Sequence, residues 1–122
     1  MGALEKWQES GRPFYVSITG LQPKSIWKFF IFMRHAVPSR SQALKAPGNL
    51  FIEVKTINGV QHTLTVWESK EDMKKYIYSG AHLLAIQAFR KIATGKTVGF
   101  ESNTIPTWEE VHEIWKTRGM SY

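Results

Sequence analysis

An indole at Trp67 and an imidazole at His82 are the two side chains whose types and spacing offer chemistry. Both fall in the run HTLTVWESKEDMKKYIYSGAHLLAI, residues 62–86. In it an alternating strand ends in Trp67, a capped helix follows at once, and His82 lies on the apolar face of the next helix. His82 shares a stripe with Ala85, Ile86 and Phe89, at i, i+3, i+4 and i+7, so its ring points where the apolar side points. Small Ala85 beside it leaves room for a ligand. A neutral imidazole in such a place can take a proton from a phenol or an enol, or can ligate haem iron. A dry aromatic pocket that removes such a proton leaves an electron-rich anion to react with dioxygen directly, with no prosthetic group. A single histidine on an apolar helix face, or a tryptophan at a strand end, is also what plain core packing produces.

Four other residues are candidates for substrate binding. Tyr15 and Ser17 point opposite to Phe14 on the first strand and can line the same hollow. Phe30 belongs to an apolar helical stripe, and Arg34 can hold an anionic substrate group, although long basic side chains also cover apolar surface with their stems. Other chemistries lack their motifs. The chain has no cysteine, which excludes thiolate nucleophiles, iron-sulfur sites and Cys-based zinc. His35, His62, His82 and His112 show no metal-ligand spacing, so no metal site is expected. Glycine-rich phosphate loops and the hydrolase elbow are absent as well.

These residues must be positioned by a single domain, residues 1–122, with an N-terminal extension over 1–12 and a C-terminal helical extension over 105–122. With 43% hydrophobic, 13% aromatic and 21% charged residues, the chain can close a core. Residues 13–20 alternate Phe14, Val16 and Ile18 against Tyr15, Ser17 and Thr19, the period of a strand with one buried face, and Gly20 and Pro23 end it. A helix follows from Lys24, apolar on two sides and so to be covered on two sides, with Ile26, Phe29, Phe30, Met33 and Val37 on one stripe and Trp27, Ile31 and Arg34 on another. Pro38 stops or kinks it, and a polar connection follows.

Residues 50–57 and 60–67 form a hairpin around Asn58-Gly59, a dipeptide that tolerates positive φ. Two helices follow, interrupted at Ser79-Gly80, the second ending at Gly95. A last strand covers 96–102, and Thr107 with Glu110 caps a final helix carrying Trp108, Val111, His112 and Trp115.

The order is βαββαβ: an α+β, ferredoxin-like domain with an antiparallel four-stranded sheet plus a C-terminal helix. Helices on one sheet face leave the other bare. That face is expected to pair two copies into a homodimer, with the C-terminal helix packing on its own domain.

The text TLTVWESKEDMKKYIYSGAH, within this order of elements, resembles the dimeric α+β barrel superfamily and, inside it, the antibiotic-biosynthesis-monooxygenase-like domains. The resemblance covers roughly residues 13–103. It implies a small-molecule monooxygenase acting on an aromatic or polyenic substrate without metal or flavin, with Trp67 and His82 as the carried-over catalytic residues. Haem-degrading relatives use an asparagine on the first strand, where this chain has only Ser17 and Thr19, which argues against a haem cofactor.

The alternative on the same fold is a non-catalytic ligand-binding or structural homodimer. A net charge of +6 with a pI near 9.7 raises anionic partners, yet the cations are scattered and the third strand, VQHTLTVW, lacks the aromatic run of an RNA recognition module. Nucleic acid is therefore disfavoured. No apolar run approaches the roughly 20 residues of a membrane span, and the N-terminus lacks a secretory apolar region, so a cytoplasmic location is expected.

Overall fold

The computed structural model describes residues 2–121, the side chains of Phe89, Arg90 and Ile92 excepted. A short helix, α1 (Ala3–Glu9), leads into β1 (Phe14–Pro23), which runs past Gly20 and ends at Pro23, the second of the two expected stops. Gly20 is a packing position: a Cβ at this point would collide with the indole of Trp115. Ser25 caps α2 (Ile26–Lys45) by accepting from the Lys28 N–H at 3.2 Å. The helix continues through Pro38, so the proline does not stop it. Its second half is held by tertiary contacts: Ser39 and Ala43 are buried, and Gln42 ties the helix to the chain near Ser79. Packing here outweighs the loss of one helical hydrogen bond at an exposed proline.

The hairpin of β2 (Asn49–Ile57) and β3 (Val60–Trp67) turns on Asn58 and Gly59, both at positive φ (50° and 78°), as the dipeptide requires. Ser69 then caps α3 (Lys70–Ile77) through the Asp72 N–H. Gly80, at φ 54°, allows the turn into α4 (Gly80–Ile92). α4 passes directly into β4 (Ala93–Ser102), so Gly95 lies inside a strand, paired with Leu21, and not at a helix cap. The capping box of Thr107 and Glu110 opens α5 (Trp108–Arg118) as expected, and β5 (Met120–Ser121) adds a fifth strand at the β4 edge.

The sheet is antiparallel in the order β2-β3-β1-β4-β5, the ferredoxin-like arrangement extended by β5. Its two faces follow from register. Val16, Ile18 and Gly20 on β1 pair with Val66, Leu64 and His62 on β3, while Tyr15, Ser17 and Thr19 pair with Trp67, Thr65 and Thr63. With period two, each set shares a face.

The expectation of a bare second face does not hold. The Val16, Ile18, Leu64 and Val66 face is fully buried beneath Val111 and Trp115 of α5, with Leu4 and Trp7 of α1 packed beside them. Each of these aliphatic side chains contributes roughly 1.5–3 kcal/mol when buried. At the margin of this core, His62 Nδ1 donates to the Thr19 carbonyl (3.3 Å), and His112 Nδ1 donates to His62 Nε2 (2.8 Å). The opposite face, that of Ser17 and Thr65, lies under α2, α3 and α4. Two helical layers thus sandwich one sheet.

α2 departs from expectation on its outer side as well. Phe32 is buried, but Ile26, Trp27, Phe30, Ile31 and Val37 are exposed, so the helix is covered on one side and not on two.

Candidate functional site

A cavity of about 410 Å³ lies between the sheet and α2, α3 and α4. The sheet supplies a floor of hydroxyls from Ser17, Thr19, Thr63, Thr65 and Thr97, because the polar positions of the alternating strands face inward here. Thr65 and Thr97 donate to the Ser17 and Ile18 carbonyls at 3.5 and 3.3 Å, which leaves their oxygens as acceptors. The helices supply an apolar roof from Phe32, Ala36, Ile77 and Ile86, with Met33 and Val37 where α2 turns outward. The volume suits a small organic molecule with an apolar body and a few polar substituents.

His82 lies on this wall, in the first turn of α4. Its backbone N–H donates to Gln42 Oε1 at 2.9 Å. Its Nδ1 lies 3.2 Å from the Ile77 carbonyl, which can only accept, so Nδ1 carries the hydrogen and Nε2 keeps a lone pair. Burial pushes the imidazole below its ordinary pKa, and the Ile77 carbonyl offsets part of that effect. Its surroundings therefore favour the neutral form of the ring.

Trp67 does not reach the cavity. It is fully buried among Ala43, Met73 and Tyr76, and its indole N–H has no hydrogen-bond partner among the described residues. The ring of Tyr76 stands between the two expected partners, with centroids 5.2 Å from Trp67 and 4.5 Å from His82. Its hydroxyl donates to the Ser39 carbonyl at 3.0 Å. Trp67 can act on the site only through Tyr76.

Of the four substrate-binding candidates, Ser17 lines the cavity. Tyr15 is half-buried beside the Trp67 cluster, its ring over Gly99, and it is not among the lining residues. Phe30 and Arg34 are exposed on the outer side of α2, away from the lining. The cation that does line the cavity is Arg40, two turns further along the same helix.

The sequence reading missed Arg40, Tyr76 and Gln42. Tyr76 carries a signal, since Met73, Tyr76 and Ile77 make a helical stripe at i, i+3 and i+4. Gln42 carries none, because its role is a contact across about 40 residues of chain with His82. No cluster of three or more metal-ligating side chains occurs among the described residues. The Phe89 side chain, expected on the His82 stripe, lies outside the described residues.

No family model and no curated protein matches the sequence. Solved structures do match in fold. SnoaB from Streptomyces nogalater, a cofactor-independent oxygenase, superimposes with a TM-score of 0.63 at 12% identity, covering 81% of this chain and 100% of its own. A protein from Nitrosomonas europaea assigned as an antibiotic biosynthesis monooxygenase gives 0.64 at 14% identity, over 75% of this chain and 90% of its own. A conserved protein of unknown function from Bacteroides thetaiotaomicron gives 0.63 at 13%, over 73% and 97%. At such identities the likeness establishes architecture alone: the chain shares the ferredoxin-like α+β fold of these structures.

Proposed function

We propose that the chain is a small-molecule monooxygenase that needs neither metal nor flavin and acts on a phenolic or enolisable aromatic substrate. The observation that carries the reading is His82, a half-buried imidazole with its Nδ1 against the Ile77 carbonyl, on the wall of a cavity with an apolar roof and a hydroxyl floor. The likeness in fold to a cofactor-independent oxygenase supports it.

The chemistry balances without a cofactor. His82 Nε2 removes a proton from an activated methylene of the substrate, and the roof keeps water from the anion. The anion transfers an electron to dioxygen, and the resulting pair combines into a carbon–oxygen bond. The peroxide takes the proton back from the imidazolium, then loses water as the remaining C–H proton departs and the O–O bond breaks. One oxygen atom ends as a carbonyl and the other as water, and the substrate supplies all four electrons. The Thr and Ser hydroxyls of the floor orient substrate oxygens, and Arg40 stabilises negative charge on the enolate.

Dioxygen uptake with a panel of anthrones and hydroquinones tests this. Wild type should consume oxygen above the buffer rate, and His82→Ala should lose about 10²–10⁴-fold in kcat with the fold intact by circular dichroism. No uptake by wild type, with substrate analogues nonetheless bound in the cavity, would leave the chain as a ligand-binding protein.

A further inference from the structure

We infer that the outer face of α2 is a docking surface for an anionic lipid membrane, on which the helix lies in the plane of the interface. Trp27 is 77% exposed, Ile26 71%, Phe30 60% and Val37 57%, and Ile31 joins them on the side of the helix away from Phe32. So much exposed apolar area on one helix is unusual for a protein surface with no partner. The charge along it is of one sign. From Lys24 to Lys45 there is no Asp or Glu, while Lys24, Lys28, Arg34, Arg40 and Lys45 all lie in that span.

An apolar strip of Trp, Phe and Ile with Lys and Arg along it matches a bilayer surface, where the rings enter the acyl boundary and the cations meet lipid phosphates. No helix is long and apolar enough to cross a membrane, so the fit is to the surface. A second copy of this chain fits worse. Two α2 faces paired with each other would set cations against cations, with no acid in the segment to offset them. The cavity adds a second observation: Met33 and Val37 belong both to its lining and to the exposed side of α2, so the apolar strip runs into the cavity wall.

The inference does not rest on the oxygenase reading, because binding is measured without turnover. Full-length protein is sedimented with vesicles of phosphatidylcholine alone and of phosphatidylcholine containing phosphatidylglycerol, at about 0.1 M salt. Binding to the anionic vesicles only, lost in high salt, is expected. Lys24→Glu with Lys28→Glu should weaken it at least about tenfold, and Trp27→Ser with Phe30→Ser should abolish it. All four side chains lie on the surface of α2 or its entry, and circular dichroism checks that the variants stay folded. Lys70→Glu with Lys74→Glu, the same charge change at exposed positions of α3, should leave binding within a fewfold of wild type. The inference is overturned if neither vesicle binds or if the α3 variant weakens binding as much as the α2 variant. It is equally overturned if the lipid-free protein is a dimer that Trp27→Ser with Phe30→Ser dissociates.

Discussion

At the scale of single residues, His82 is positioned by groups that do no chemistry themselves. Gln42 fixes its backbone, the Ile77 carbonyl fixes its tautomer, and the Tyr76 ring fixes its plane. Because burial lowers its pKa, the ring stays unprotonated to more acidic pH than a free histidine would, and in the proposed reaction it would act as the base. The acid limb of kcat/KM should therefore have its midpoint below about 6.5, and a pH–rate profile with a midpoint at or above that value would show a solvent-exposed base instead. Gly20 is the corresponding residue on the other face. Gly20→Ala drives a methyl into the Trp115 indole and should destabilise by about 1–3 kcal/mol in urea unfolding. Adding Trp115→Leu should recover part of that loss if the clash is its cause. The apolar placement of His82 was legible from its i, i+3, i+4 spacing. The intervening Tyr76 was not, because the rotation of α3 against α4 about the Gly80 turn decides which rings meet.

At the scale of elements, most was written in local signals: Asn58-Gly59 for the hairpin, Ser69 and Thr107 for two helix starts, Gly80 for the break between α3 and α4. α2 was misread after Pro38 because proline is a local signal and the forces that override it are not. Ser39, Gln42 and Ala43 pay for the continued helix through contacts with α3 and α4, far along the chain. Pro38 is exposed and no hydrogen bond depends on its ring, so Pro38→Ala should restore the missing N–H to the Arg34 carbonyl. A gain of about 1–3 kcal/mol in denaturant unfolding is expected, with the catalytic rate unchanged. A loss of stability would mean that the fixed φ of the proline, not the contacts beyond it, holds the second half of α2 in place.

At the scale of the whole molecule, the consequential element is α5. One antiparallel sheet needs cover on both apolar faces, and the expected solution was a second copy pairing sheet to sheet. The chain solves the problem internally: Val111 and Trp115 seal Val16, Ile18, Leu64 and Val66, and the His62–His112 hydrogen bond fastens one margin of the seal. Two sheets cannot meet on a face that α5 occupies, so any pairing of full-length chains through this face requires the helix to leave first. Removing residues 105–122 should therefore bare the aliphatic face and make the chain associate. Light scattering after size exclusion should give a mass that rises with concentration, or outright precipitation, where the full-length chain does not pair through this face. The cavity lies on the opposite side of the sheet, so a truncated chain rescued as a soluble sheet-paired dimer should still bind the ligands of the parent. A truncated chain as stable as the parent and unassociated at every concentration would mean that α5 contributes little to the core, and that the sheet tolerates water on its aliphatic side.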